Sequence, residues 1–89
     1  MKYSVETTPR FDKEFKKLDR YTQYILKGWI EKHLVGTTKP RAHGKSLRGD
    51  MSELWRYRIG DYRMICKIED AKLVILALSV GHRKEIYKN

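Results

Sequence analysis

The chain lacks the features that define several common classes of protein. Among its 89 residues there is a single cysteine, Cys66, so no intramolecular disulfide can form, which fits a reducing compartment such as the cytoplasm. The longest apolar run, at residues 73–80, is too short to span a bilayer, and the N-terminus has no apolar signal core. Metal-ligand spacing and a glycine-rich phosphate loop are also missing. We therefore expect a cytoplasmic protein without membrane insertion, metal or cofactor.

Positive charge is the dominant property of what is present. Twenty lysines and arginines oppose eleven acidic residues, giving a formal charge of +9. Such an excess predicts a polyanionic partner, and nucleic acid is favoured. A membrane surface fits less well, because the cations are dispersed among aromatics instead of flanking an apolar helix face. The length allows one small domain, residues 1–89.

Hydrophobic periodicity predicts an α+β fold. The expected elements are a strand at 2–6, a helix from Pro9 to Leu18, a helix at 20–34, a loop at 37–46, and strands at 53–59, 62–68 and 72–80. The two helices should form a hairpin, and the last three strands an antiparallel meander. We expect one twisted sheet with the helices packed on one face and the first strand at an edge of the meander.

Alternation within the meander separates apolar residues from cations. Arg56, Arg58, Arg63 and Lys67 should share the sheet face that points away from the helices. A row of this kind can hold successive phosphates of a nucleic-acid strand. Alternatively, these cations only keep an exposed sheet soluble. Four of them on one face favour binding.

The segment after the third meander strand adds groups that can transfer protons. Gly81 predicts a sharp turn that leaves His82 and Arg83 near the mouth of the sheet. Histidine is the side chain that can exchange protons at neutral pH, although a histidine in a turn is often only a surface residue. Tyr87 would need cationic neighbours such as Arg63 and Arg83 to act as a base. The alternatives for Tyr87 are an anchor for the C-terminus and an aromatic that stacks on a nucleobase.

Further basic residues are interpreted as extending the phosphate track. They are Arg41, Lys45 and Arg48 before the meander and Lys84 after it. A solvated charged loop is the alternative for the first three. Asp50 and Glu53 are candidate acid or base residues near the first meander strand, but they are interpreted as shaping the turn before it. His33 and His43 are assigned no chemical role.

In sequence order, these segments resemble the RelE/ParE toxin superfamily of type II toxin-antitoxin systems. The resemblance extends over nearly the whole chain and is carried by residues 45–49 (KSLRG), 54–59 (LWRYRI), 60–63 (GDYR) and 80–87 (VGHRKEIY). It implies an mRNA interferase of the RelE type, which enters the ribosomal A site and cuts the codon there without a metal. It also implies a monomeric toxin that forms a hetero-oligomer with a RelB-like antitoxin, whose acidic segment would cover the cations.

The resemblance assigns catalysis to Arg56, Arg58, Arg63, Arg83 and Tyr87, and the residues themselves add His82. In the best-known members the two basic strand residues are lysines, and the interval from Gly81 to Tyr87 is longer. Because arginine is a poor proton donor, Arg56 and Arg58 are assigned to charge stabilisation. Proton transfer then falls to His82 or Tyr87.

Other functions remain open at this point. The nearest is a ParE-like inhibitor that binds DNA gyrase and performs no RNA chemistry. A non-catalytic RNA-binding module, in which aromatics stack and cations hold phosphates, is another. A degenerate toxin kept for regulation is a third.

Overall fold

The structure, a computed structural model, describes residues 1–51 and 53–86, the side chains of residues 85 and 86 excepted. It is a five-stranded sheet with a helical hairpin on one face. The elements are β1 (Ser4–Thr7), α1 (Pro9–Lys16), α2 (Arg20–His33), β2 (Lys45–Ser46), β3 (Leu54–Ile59), β4 (Tyr62–Glu69), β5 (Val74–His82) and α3 (Arg83–Ile86), with a 3₁₀ turn at Gly49–Met51. The predicted α+β architecture is confirmed.

The strands lie in the order β1-β5-β4-β3-β2. The meander of β3, β4 and β5 is antiparallel, and β1 pairs in parallel with β5, the outer strand of the meander, as expected. The short strand β2, inside the predicted loop, pairs with β3. A strand of two residues is too short to show an alternating pattern, and its conformation depends on the strand with which it pairs.

The start of α1 is determined by its local sequence. Thr8 is the N-cap, its hydroxyl oxygen accepting the Phe11 N–H at 3.2 Å, and Pro9 follows at the first helical position. The same hydroxyl donates to the Ala77 carbonyl at 3.1 Å, and the Glu14 carboxylate accepts the Val80 N–H at 3.0 Å. These contacts attach α1 to β5.

The core lies between the sheet and the hairpin. Tyr57, Met64, Cys66 and Ile75 are almost completely inaccessible and pack in one cluster with Leu26 of α2. Tyr57, Met64 and Cys66 belong to the apolar residues that alternate with the cations of the meander, and the alternation predicts that they face the helices. Burial also raises the pKa of the Cys66 thiol, so this cysteine is an inert core residue.

The prediction of a sharp turn at Gly81 is wrong. β5 continues through His82, with Gly81 paired to Arg63 and His82 paired to Tyr62. Glycine also occurs inside strands where a neighbouring group needs room. Here the neighbour is the large side chain of Arg63, which lies opposite Gly81 on the same sheet face. One extra residue in β5 shifts the register between Ile65 and Cys66, so that Ser79 lies opposite Ile65.

Candidate functional site

The sheet face opposite the hairpin, called the open face below, collects cations from three strands. Arg58 lies opposite Arg63 across the β3–β4 hairpin, and Arg56 lies between Lys45 of β2 and Ile65 of β4. Residues at paired or alternate positions share a face. The open face therefore carries Lys45, Arg56, Arg58, Arg63 and Lys67. The predicted common face of the four strand cations is confirmed.

The positive charge is concentrated at the β3–β4 turn. Glu69 and Glu6 also occupy the open face, but Glu69 is at the far end of β4 and Glu6 is on the edge strand β1. Arg58 and Arg63, in contrast, lie directly opposite each other next to the turn. A like-charged pair in this arrangement lowers the stability of the sheet. An anion bound between them would offset that cost.

Arg63 is held in a defined position. Only 8% of its surface is exposed, and Nη1 donates to the carbonyl oxygens of Gly60 and Tyr62, both at 3.0 Å. Within the described part of the chain, these bonds occupy one nitrogen of the guanidinium. The other two nitrogens keep donors for an oxyanion. Arg58, on the other strand, is exposed.

Arg83 joins the same end of the sheet through the β3–β4 turn. Its backbone N–H donates to the Asp61 carbonyl at 2.8 Å, and its Nε lies 4.0 Å from Asp61 Oδ1. Arg83 is the first residue of α3, which contacts β4 and β5. The turn thus brings Arg58, Arg63 and Arg83 to one end of the sheet.

His82 is not part of this cation group. It is paired with Tyr62, and the two rings meet edge to face with centroids 5.5 Å apart. Because Arg63 lies opposite Gly81, His82 occupies the other sheet face. Its Nδ1 accepts the Lys84 N–H at 3.2 Å, so that nitrogen is already engaged. Tyr87, the other residue proposed for proton transfer, lies outside the described residues.

The predicted phosphate track is only partly assembled. Lys45 and Lys67 lie on the open face, while Arg48 and Lys84 are exposed outside the strands. Arg41 binds Asp70 through two hydrogen bonds of 3.0 and 2.9 Å, and Asp70 also accepts the Tyr3 hydroxyl at 2.6 Å. These bonds lower the pKa of Asp70. Arg41 thus fixes the loop before β2 to the β4–β5 turn.

The structure also groups residues that sequence reasoning left apart. A cleft of about 470 Å³ opens at the β2 side of the sheet, at the end opposite the β3–β4 turn. Its lining comprises Arg41, Ser46, Glu53, Trp55, Lys67 and Ile68. Trp55 was not predicted as a site residue, and Glu53 was interpreted as shaping a turn. Their proximity to Lys67 follows from strand pairing, which no local motif records.

An aromatic cluster connects α2 to the loop before β2. The rings of His33 and His43 lie 4.7 Å apart, and Trp29 contacts both. Desolvation, assisted by the nearby His43 and Lys32, lowers the pKa of His33. Both histidines thus have a packing role.

Residues 1–51 and 53–86 contain neither a group of metal ligands nor a membrane-spanning helix. No three histidine, cysteine or acidic side chains are grouped so that they could hold a metal ion. No helix there is long and apolar enough to cross a membrane.

Comparison with known proteins gives consistent matches. The family model described as the ParE toxin of the type II toxin-antitoxin system parDE matches residues 5–87. The toxin RelG of Mycobacterium tuberculosis is 34% identical over 50 residues, which cover 56% of this chain and 58% of that protein. The matched segment is thus less than two thirds of the length of that relative.

Solved structures match over more of the chain. The isolated Escherichia coli RelE toxin has a TM-score of 0.73 and 29% identity, covering 96% of this chain and 90% of its own. The intact E. coli RelBE toxin-antitoxin complex gives 0.73 and 28%, with coverages of 90% and 95%. The RelBE2 complex of M. tuberculosis gives 0.79 at 23% identity, with coverages of 93% and 100%, and therefore supports the fold alone.

Proposed function

Because this chain belongs to the RelE/ParE toxins of type II toxin-antitoxin systems, we propose that it is a RelE-type endoribonuclease, which acts in the cytoplasm and cleaves mRNA in the ribosomal A site. The observation that carries the proposal is the group of Arg58, Arg63 and Arg83 at one end of the sheet. A site for phosphate chemistry needs such fixed positive groups where charge develops.

The proposed reaction needs no metal. A base removes the proton of a ribose 2′-hydroxyl, and the 2′-oxygen attacks the adjacent phosphorus. The bond from phosphorus to the 5′-oxygen breaks, and that oxygen takes a proton from solvent. The products are a 2′,3′-cyclic phosphate and a 5′-hydroxyl.

Each arginine has a separate task in this reaction. Arg63, oriented by its bonds to the turn, and Arg83 stabilise the charge that develops on the phosphate. Arg58 holds the same phosphate from the neighbouring strand, and Arg56 holds the next one along the open face. Lys45 and Lys67 continue the backbone contacts, and Arg48 and Lys84 add them from outside the strands.

The proposed base is Tyr87. Cationic neighbours are the condition for this role, because they favour the phenolate form of a tyrosine and so lower its pKa. His82 is a weaker candidate, because it occupies the other sheet face and its Nδ1 is engaged by the Lys84 N–H. Replacing Tyr87 with phenylalanine should abolish cleavage while RNA binding persists.

An antitoxin is the proposed protein partner of an otherwise monomeric toxin. One of the similar structures, the intact E. coli RelBE complex, is a toxin-antitoxin complex. On α2, the exposed residues Tyr21, Tyr24 and Ile25 form an apolar stripe that is flanked by Arg20 and Lys27. This combination fits an amphipathic helix with acidic flanks, while a second segment of the same antitoxin would cover the open face. Co-expression with the neighbouring reading frame should yield a complex that exchanges at high salt.

The experiment for the enzymatic proposal uses purified ribosomes with a defined mRNA positioned in the A site. The wild-type protein should release fragments with cyclic phosphate ends, also in EDTA at levels that keep ribosomes intact. Arg58→Ala should slow cleavage roughly 100-fold, as expected for the loss of one charge-stabilising group. Lys13→Ala, an equal charge change on exposed α1, should have no effect. Equal rates for Arg58→Ala and the wild type would refute the site.

Inhibition of DNA gyrase is a second candidate function. It is favoured by the matching family model, which describes a ParE toxin. In that case the protein should trap gyrase on DNA and leave mRNA intact. Toxicity would then not depend on RNA cleavage, so no effect of Arg58→Ala on toxicity could be explained by a loss of cleavage.

A further inference from the structure

We propose that the cleft lined by Glu53, Trp55 and Lys67 binds one nucleobase of the RNA and selects guanine. The inference rests on the proposed function, because it treats the bound strand as the substrate of the open face. It adds a specificity site, distinct from the arginines at the β3–β4 turn.

The apolar part of the cleft is preorganised. Trp55 Nε1–H donates to the His43 carbonyl at 2.7 Å, which fixes the indole without closing the cleft. Ile68 lines the same cleft. A fixed aromatic surface can contact or stack on a base with little loss of side-chain entropy.

The close approach of Gly44 keeps this geometry. Its φ is +83°, and a side chain at this position would overlap the Arg56 carbonyl and reach 2.7 Å from Trp55 Nε1. Only glycine accepts both conditions without strain. The loop can therefore lie directly against the indole.

The cleft meets the row of cations at Lys67, while Trp55 and Ile68 belong to the hairpin side of their strands, so the cleft opens at the end of the sheet between the two faces. Lys67 lines it and also lies on the open face, four residues along β4 from Arg63. Four residues of a strand span about 13 Å, a distance that about two nucleotides of an extended RNA strand cover. A base in the cleft would thus be about two nucleotides from the cleaved phosphate.

The choice of guanine follows from Glu53. This exposed carboxylate has only acceptors to offer and lines the cleft, in which the Arg41 guanidinium is oriented by its two hydrogen bonds to Asp70. The Watson–Crick edge of guanine presents two adjacent donors, N1–H and N2–H, which a carboxylate can accept together. Adenine, cytosine and uracil each present one donor there. Charge-assisted pairs of this kind discriminate strongly.

The first test measures cleavage of mRNAs that differ at the base two nucleotides from the cut. Wild-type protein should cleave the guanine form with kcat/KM at least 10-fold above the others, a ratio consistent with hydrogen bonds to a charged group. Glu53→Gln should reduce this preference below 3-fold while the rate on the adenine form stays unchanged. Asp50→Asn, a matched change at an exposed acid that does not line the cleft, should retain the preference. An unchanged preference in Glu53→Gln would overturn the inference.

A second readout separates this inference from the enzymatic proposal. Titration with guanosine 5′-monophosphate should shift the indole NMR resonance of Trp55 but not that of Trp29, and adenosine 5′-monophosphate should shift it less. Loss of the guanosine shift in Glu53→Gln would support the base site even if the protein cleaves no RNA. Absence of a Trp55 shift in the wild-type protein would refute the base site even if cleavage is observed.

Discussion

The Tyr57 hydroxyl gives a quantitative test of how the loop before β2 is held. Tyr57 is fully buried, and its hydroxyl donates to the Pro40 carbonyl at 2.6 Å. Burial raises the pKa of this phenol, so it remains a donor throughout the working pH range. Tyr57→Phe keeps the ring in the core but leaves a carbonyl of the buried Pro40 without this partner. A lost bond of this kind costs about 1–3 kcal/mol.

The assay is urea unfolding followed by tryptophan fluorescence, with thermal unfolding beside it. For a domain of this size, each kcal/mol corresponds to a fall in Tm of about 4–8 °C. Tyr24→Phe is the matched control, because the Tyr24 side chain is exposed on α2, and its stability should stay within about 0.5 kcal/mol of the wild type. A Tyr57→Phe variant as stable as this control would refute the role assigned to the hydroxyl.

Other contacts of the loop give three further predictions. Gly44→Ala should lower the free energy of unfolding by about 2 kcal/mol or more, seen in the same urea assay, because its φ of +83° and the neighbouring Arg56 carbonyl exclude a side chain. The lowered pKa of His33 means that the unfolded chain binds its proton more readily, so stability should fall as pH drops below about 6.5. His43→Gln should weaken this dependence in a pH series of unfolding curves without removing it, because desolvation is the larger cause of the lowered pKa. The lowered pKa of Asp70 stabilises the fold above about pH 4, an advantage lost on further acidification. Asp70→Asn should already lack it at neutral pH, and an unchanged acid limb of the stability curve in this variant would contradict the assignment.

The local sequence contains enough information for most of the fold. Thr8 and Pro9 mark the start of α1 because capping is a local interaction. The two-residue turn at Gly60 and Asp61 fixes the register of β3 and β4, so the shared face of Arg58 and Arg63 follows from strand alternation.

The contacts that sequence reasoning missed are distant along the chain. Arg41 meets Asp70, 29 residues away, and this pairing removes it from the expected phosphate track. The side on which His82 lies depends on β5 continuing through Gly81, and a glycine alone predicts a turn as readily as a strand. Pairing between strands decides both questions, and composition does not record it.

The most direct test of the central claim is a map of mRNA 5′ ends after the protein is induced in cells without antitoxin. If the protein cleaves mRNA on the ribosome with its arginine group, we expect cuts within translated frames. These cuts should disappear in an Arg58→Ala, Arg83→Ala double variant and persist in Lys13→Ala. Growth arrest with intact mRNA and trapped gyrase, or cuts that persist in the double variant, would contradict the central claim.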